Sequence, residues 1–186
     1  MRSAHQSLLS FLILCMILTG CVATDSTAGS FAHATALSSL AGTYRNQGES
    51  PNTSTKQPRL SQLIWPDDMS LRHGEVASVE VKVLSARRLK VSALGQNGET
   101  LKAGEYEQGK NFSLTGDRLR LAHRLDGAGF KSGQPIVGTT SNQVEFGLDS
   151  AGQGKARQAS SATGLVFGLI PMHIEAVSDI RYVKVK

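Results

Sequence analysis

Side chains able to do acid–base or metal chemistry are few and widely spaced in this sequence. His73 and Glu75 form an H-x-E pair, and on a strand both side chains would lie on the same face. An imidazole and a carboxylate placed in this way are suited to a divalent metal. No third ligand follows nearby and no H-E-x-x-H motif is present, so we expect no metal site and interpret the pair as surface turn residues.

Motifs for nucleophilic chemistry do not match the required spacings. Ser150 lies between Gly147 and Gly152, which differs from the G-x-S-x-G nucleophile elbow, and no helical pattern follows it. Asp67 and Asp68 follow a Trp-Pro pair, where adjacent carboxylates are typical of a solvated turn rather than of an acid–base pair. We therefore expect no catalytic residues, no cofactor and no enzymatic activity.

Basic residues at alternate positions are candidates for a binding surface. Arg118 and Arg120 share one strand face, and Lys155 and Arg157 form another such pair. Together with neighbouring strands, these residues would build a positive stripe that binds the phosphates of an anionic glycolipid. The alternative is a solvated face on which the charges only maintain solubility. We expect no nucleic acid partner, because no aromatic residues are interleaved with these cations.

Four large apolar side chains are further candidates for a ligand or partner surface: Trp65, Phe130, Ile136 and Phe167. Trp65 is interpreted mainly as core or rim packing. Phe130 and Ile136 lie in the glycine-rich stretch 127–143, which is long for a connection in a compact domain. Either Ile136 and Val137 belong to a short extra strand, or the stretch is a mobile apolar loop at a barrel mouth or membrane surface.

Most of the remaining chain follows a period of two. Apolar and polar residues alternate along 79–83, 88–93, 112–114 and 118–121, which is typical of half-buried strands. The segment Leu165–Ile170 is almost entirely apolar and predicts a strand that is covered on both faces. Its central Phe167 would then lie in a packed interior or line a ligand cavity.

Turn signals separate these strands. Asn97-Gly98 is the strongest of them, because a type I′ turn requires positive φ at both central residues. It predicts a hairpin that joins Arg88–Gly95 to Thr100–Tyr106. Further turns are predicted at Thr115–Asp117 and at Asp149–Gly152.

One short helix is predicted after the first strand, which we place at Leu40–Asn46. Pro58 suits the first turn of a helix, and Leu60, Leu63 and Ile64 fall on one helical face at i, i+3 and i+4. We expect this helix to lie across the end of a sheet or barrel.

The strand spacing predicts the fold class. About nine or ten short strands with frequent turns indicate an all-β protein. We predict a small antiparallel meander closed into a barrel, because closure removes the exposed edges of a long meander. The barrel domain is expected to span 39–186.

The N-terminal residues carry a targeting pattern. Arg2 precedes an apolar run, Leu8–Leu18, which is too short to cross a bilayer core of about 30 Å but suits the centre of a signal peptide. The run ends in Leu18, Thr19 and Gly20, directly before Cys21. This tetrapeptide resembles the lipobox of bacterial lipoproteins.

The lipobox resemblance implies a lipid-anchored protein of the cell envelope. Residues 1–20 would be the signal peptide, Leu18–Gly20 would be recognised by the signal peptidase, and Cys21 would be lipidated. Its acyl chains would then attach the mature protein to a membrane. Val22 after the cysteine favours the outer membrane of a Gram-negative bacterium. Residues 21–38 are interpreted as the lipidated cysteine and a flexible tether.

Cysteine usage limits the chemistry of the mature domain. The sequence has two cysteines, of which Cys15 would leave with the signal peptide and Cys21 would be acylated. No disulfide would remain, so stability must come from a hydrophobic core. Thiol catalysis and cysteine-ligated zinc would be excluded. The formal net charge of +5 is a mild basic excess, compatible with a solvated surface of mixed charge.

A second, shorter resemblance concerns the first strand. The segment Leu40–Tyr44 resembles a degenerate G-x-W motif of lipocalins, with tyrosine in place of tryptophan. Arg181, next to Tyr182, would match the arginine that packs on this aromatic ring. The resemblance implies a small lipocalin-like barrel that binds an apolar ligand.

The sequence does not identify one activity, but it favours binding over catalysis. We expect a lipid-anchored envelope lipoprotein whose β-barrel domain binds an envelope protein or an anionic glycolipid. The alternative is a lipocalin-like carrier of an apolar ligand.

Overall fold

The computed structural model describes residues 23–24, 31–32, 36–49, 57–116, 118–122, 124–128, 136–166 and 170–185. Leu18, Thr19, Gly20, Cys21, Phe130 and Phe167 lie outside these ranges, so the signal peptide and lipidation site stay predictions.

The described residues form strands and two short helical segments. The strands are β1 (Ala23–Thr24), β2 (Gly42–Arg45), β3 (Ser78–Ser85), β4 (Arg88–Leu94), β5 (Thr100–Glu107), β6 (Phe112–Thr115), β7 (Arg118–Leu121), β8 (Arg124–Ala128), β9 (Ile136–Leu148), β10 (Gly154–Val166) and β11 (Ile170–Tyr182). A 3₁₀ turn spans Leu37–Leu40, and helix α1 spans Leu60–Ile64. The all-β class is confirmed. The predicted short helix is confirmed as α1, which follows β2, the strand within the predicted Leu40–Asn46.

The strands form two sheets. The small sheet has the order β2-β3-β4-β5, and the large sheet has the order β1-β11-β10-β9-β7-β6, with β8 also paired to β9. Neighbours are antiparallel except for β1 and β11, which run parallel. Most sequential strands are therefore neighbours, as expected for a meander.

Backbone hydrogen bonds join the two sheets along one side. The Arg45 amide donates to the Val183 carbonyl and the Val185 amide donates to the Thr43 carbonyl, each at 2.8 Å. These bonds place β2 beside the end of β11. Within the described ranges neither sheet closes on itself, so the predicted barrel closure is not confirmed.

The hydrophobic core lies between the two sheets. The small sheet contributes Val79 and Ala93, both fully buried, and the large sheet contributes Ala156, Ile180 and Tyr182. The alternation read from the sequence of β3 and β4 correctly identified which face is buried.

Helix α1 packs on this core and is fixed by one buried amide. Asn46, 1% exposed, accepts a hydrogen bond from the Ser61 amide through Oδ1 at 2.8 Å. Its Nδ2 donates to the carbonyls of His73 and Val76 at 3.0 and 2.9 Å. Asn46 therefore ties the end of β2 both to α1 and to the segment before β3.

The hairpin at Asn97-Gly98 joins the predicted strands, but its turn differs from the prediction. The Gly98 amide donates to the Gly95 carbonyl at 3.1 Å, and the Gly95 amide donates to the Glu99 carbonyl at 2.9 Å. The loop thus has three residues, with Gly98 last at a φ of 80°. In a three-residue hairpin loop, the third loop residue has positive φ, and glycine is favoured at that position. The predicted two-residue type I′ turn is wrong.

Strands β9, β10 and β11 have 13 residues each and are much longer than expected. Ile136 and Val137 begin β9, so the strand interpretation holds for them and the loop interpretation does not. The predicted single strand Leu165–Ile170 is wrong, because Val166 pairs with Ile170 across a chain reversal. Leu165 and Ile170 are 42% and 61% exposed rather than covered.

Candidate functional site

Six charged side chains meet on the face of the large sheet that points away from the core, here called the charged cluster. Its members are Arg118, Arg120, Glu145, Lys155, Arg157 and Asp179. Strand register brings them together, since Glu145 lies opposite Arg120 on one side and Arg157 on the other, and Arg157 lies opposite Asp179. The cluster therefore crosses β7, β9, β10 and β11.

Glu145 holds the two predicted arginines together. Arg118 Nη1 donates to Glu145 Oε2 at 3.0 Å, and Arg120 donates to Oε1 through Nε at 3.0 Å and Nη2 at 2.6 Å. Charge-assisted hydrogen bonds of this length fix both guanidinium groups in place.

Asp179 organises the other half of the cluster. Arg157 makes two parallel hydrogen bonds to it, Nε to Oδ1 at 2.9 Å and Nη2 to Oδ2 at 3.0 Å. Lys155 Nζ lies 3.4 Å from Asp179 Oδ2, and both residues are only 6% exposed. This part of the cluster is a buried ion-pair network.

Phe31 covers the buried part of the cluster. Its ring is 3% exposed, and three cations surround it, with Arg118 Cζ at 4.6 Å, Lys155 Nζ at 5.0 Å and Arg157 Cζ at 5.4 Å from its centroid. The Ala32 amide donates to the Leu148 carbonyl at 2.8 Å and holds this segment on the sheet. Cations over an aromatic face are attracted by its quadrupole.

Each carboxylate of the cluster pairs with two cations, Glu145 with Arg118 and Arg120, and Asp179 with Lys155 and Arg157. Burial alone would raise the pKa of Glu145, but hydrogen bonds from Arg120 and Arg118 outweigh burial and hold its pKa below the usual range. Glu145 is therefore ionised at neutral pH. The carboxylates hold the arginines in place. Guanidinium groups fixed in this way are suited to binding an anion rather than to transferring protons.

A second candidate site is the apolar cavity inside the core. Its volume is about 80 Å³. The lining is almost entirely apolar and comes from both sheets and α1, for example Ile64, Val91, Phe112, Leu119 and Phe146. A cavity of about 150 Å³ accepts benzene. The observed space is therefore too small for a long acyl chain in this conformation.

Buried tyrosines surround this cavity. Tyr44 donates its hydroxyl hydrogen to the Leu40 carbonyl at 2.8 Å, and Tyr182 donates to the Pro58 carbonyl at 2.9 Å. Burial raises the pKa of Tyr44 to about 12. It has the same effect on Tyr106, whose pKa is about 12 despite an opposing hydrogen bond with Trp65. These phenols stay neutral; Tyr44 and Tyr182 act as structural hydrogen-bond donors, and the Tyr106 oxygen accepts from the Trp65 indole.

The structure separates the two members of the H-x-E pair. His73 Nδ1 lies 3.0 Å from Ser61 Oγ, while Glu75 pairs with Arg72 at 3.0 Å. Burial lowers the pKa of His73. Among the described residues, no three His, Cys, Asp or Glu side chains converge as metal ligands would.

Asp68 stabilises the turn in which the sequence placed it. Its Oδ1 accepts hydrogen bonds from the Ser70 and Leu71 amides at 3.0 and 3.2 Å, and its other oxygen pairs with Lys102. The hydrogen bonds with Lys102 and then Ser70 hold the pKa of Asp68 well below its usual range. These bonds leave it a structural carboxylate.

The predicted surface residues are separated in the fold. Trp65 is buried in the core, and Ile136 is the first residue of β9. Arg118 and Arg120 lie together in the charged cluster with Lys155 and Arg157. Sequence reasoning missed Phe31, Glu145 and Asp179, because their roles depend on strand register and long-range packing.

One detail of the lipocalin resemblance is wrong. Lys184 lies over the Tyr44 ring, with its Nζ 5.6 Å from the ring centroid. Arg181 instead pairs with Asp149, with Nε 3.2 Å from Oδ2. The motif arginine therefore has a different partner here.

No protein-family model, no curated protein and no solved structure matches this chain. Helices long and apolar enough to cross a membrane are absent from the described residues.

Proposed function

We propose that this protein is a lipid-anchored lipoprotein of the outer membrane whose β-domain binds an anionic partner without chemical conversion. The anchor is supported by the Leu18–Cys21 lipobox. Binding is supported by the charged cluster, and the observation that carries the proposal is Arg120, which Glu145 holds in place while 43% of its side chain stays exposed. The partner supplies either the phosphates of an anionic glycolipid or the carboxylates of an envelope protein.

The geometry of the cluster favours a bound anion. Glu145 holds the Nε and Nη2 groups of Arg120, while 43% of the Arg120 side chain remains exposed to solvent. Its guanidinium therefore keeps donors directed at solvent. Because Glu145 already restricts the Arg120 side chain, this side chain loses less conformational entropy when a ligand binds.

Titration of the purified mature lipoprotein with two probes tests this proposal. One probe is the soluble phosphorylated saccharide of a glycolipid, and the other is a peptide rich in glutamate. We expect one of them to bind, and added salt to weaken the binding. Arg120→Ala should weaken it about tenfold or more, since a charge-assisted hydrogen bond contributes about 1.5–3 kcal/mol.

Arg88→Ala is the matched control, because Arg88 is an exposed arginine of the small sheet paired with Glu105. It should leave the affinity unchanged. An equal loss in both variants, or no binding of either probe, contradicts the proposed function. The probe that binds identifies the source of the anionic group.

The finer fold proposal is a single small barrel. It is supported by the bonds between β2 and the end of β11, and by a bridge between Gln108 and Phe112 that brings the end of β5 to β6. Amide hydrogen exchange tests it. Protection at Arg45 and Val185 equal to that of central strands supports closure, whereas rapid exchange there argues for two open sheets.

A carrier of an apolar ligand is the second candidate, and the apolar cavity favours it. A fluorescent fatty acid titrated into the protein distinguishes the candidates. Saturable binding that Phe112→Trp blocks by filling the cavity would favour the carrier. Absence of saturable binding leaves the anion-binding proposal as the better account.

A further inference from the structure

About half of the long three-stranded ribbon extends beyond the core. Strands β9, β10 and β11 have 13 residues each, whereas strands of the small sheet have at most eight. Along β11, burial ends at Asp179, and most residues between Ile170 and Val177 are exposed. We call the part formed by 136–144, 158–166 and 170–178 the overhang.

One face of the overhang continues the apolar face of the core. Even-numbered residues of β11 share the face of the buried Ile180. Beyond Ser178 the β11 residues on this face are apolar, namely Ile170, Met172, Ile174 and Ala176, which we call the apolar face, and polar Ser160 and Asn142 lie beside Ala176. Ile170 is 61% exposed and Ile174 is 45% exposed. The small sheet is too short to cover them.

The opposite face of the overhang is mixed, because the exposed Leu165 and Val177 lie on it together with His173 and Glu175. His173 lies 2.8 Å from the Thr163 hydroxyl through Nδ1 and 3.0 Å from Glu175 Oε1 through Nε2. Glu175 is the single formal charge in the sequence from 158 to 178. Covering the apolar residues of β11 therefore removes few charges from water.

The N-terminal segment reaches the domain at this same place. Ala23 pairs with Glu175 and Thr24 with Ala176, and the strands run parallel. Followed toward its N-terminal end, β1 therefore points to the Ile170 end of β11. Cys21 is two residues earlier, which limits its distance from Ala23 to about 7 Å.

We propose that the apolar face rests in the interfacial layer of the same membrane that holds the acyl chains of Cys21. This inference depends on the proposed lipid anchor. The occupant is lipid, because the anchor leaves the domain beside the apolar face and brings acyl chains to it. Membrane attachment by acyl chains is strengthened by such a second contact.

The membrane contact is compatible with binding at the charged cluster. Asp179 lies nine residues from Ile170 along β11, or about 30 Å at about 3.3 Å per residue. Asp179 also lies on the opposite face of β11 from Ile170 and Ile174, so a partner can reach the cluster while the apolar face contacts the membrane.

Fluorescence quenching in the lipidated protein tests the contact. Acylation occupies the thiol of Cys21, so Ile174→Cys provides a unique labelling site with an environment-sensitive fluorophore. In phosphatidylcholine vesicles, a lipid-soluble quencher should reduce its emission several-fold more than that of the same label at Leu84→Cys. Leu84 is the control because it is similarly exposed, at 47%, but lies on the small sheet. Equal quenching at both positions overturns the proposal.

Vesicle partition gives a second measurement. Cys21→Ala removes the acyl chains, and the uncharged vesicles exclude attraction to the charged cluster. The double change Ile170→Ser and Ile174→Ser should lower the remaining partition about tenfold, whereas Leu84→Ser should not. Equal partition of all forms overturns the proposal.

The two proposals fail in different ways. If the proposed lipid anchor is wrong, Cys21 is found unacylated in the wild-type protein. Failure of the membrane contact shows as an acylated protein whose residue 174 label stays in water. A label that is shielded in detergent, with a dimer mass in ultracentrifugation, also overturns it and assigns the apolar face to a second copy of this chain.

Discussion

Arg157 and Asp179 face each other on β10 and β11 and form two parallel hydrogen bonds of 2.9 and 3.0 Å. The same carboxylate pairs with the buried Lys155. One carboxylate thus pairs with two cations in the large sheet, and this arrangement supports the remainder of the charged cluster.

Asp179→Asn should destabilise the fold by about 3–5 kcal/mol, because it removes the charge from one side of a buried ion-pair network. Urea denaturation of both proteins measures the difference. Glu105→Gln is the control, since its pair with Arg88 is exposed and should contribute about 1 kcal/mol or less. A loss at Asp179 no larger than that of the control would show that the network is not structurally important.

Stability should fall in acid partly through Glu145. Its folded pKa lies below the ordinary value of 4.5, so the folded state favours the ionised form. This contribution is present above the unfolded pKa and is lost as the pH falls through the folded pKa. Glu145→Gln should therefore show a shallower decline in the free energy of unfolding below pH 4.5. An identical acid profile in both proteins would contradict the assignment.

Phe31→Ala should cost about 3–5 kcal/mol in the free energy of unfolding, because it empties a buried aromatic position. Phe31→Leu retains apolar volume but loses the cation–π contacts, so it should cost less. Thermal and urea unfolding of both variants separate packing from the cation–π contribution. Wild-type stability in Phe31→Ala would place this segment outside the folded unit.

The small sheet could be predicted from the sequence because one of its faces is buried. Val79, Leu89 and Val91 alternate with polar residues, so the period of two directly reports the strand and its core face. The short helix was predictable for a similar reason, since Leu60 and Leu63 are spaced for one helical face.

The overhang could not be predicted in the same way. Residues 138–143 and 158–164 are rich in Gly, Ser, Thr and Ala, and hydrophobic alternation fades where no second sheet covers the strand. The charged cluster was only half predictable. Arg118 and Arg120 are visible as an alternating pair, but their convergence on Glu145 requires a register between strands that are distant in sequence. Phe31 is a lone aromatic residue in a small, polar segment and gives no local signal.

The mass of the mature N-terminal peptide tests the central claim of a lipid-anchored protein most directly. Mass spectrometry of the protein purified from Gram-negative membranes should find an N-terminus at Cys21 that carries acyl chains, and Cys21→Ala should lack this modification and leave the membrane fraction more readily. An N-terminus at another residue, or Cys21 with a free thiol, would contradict the account.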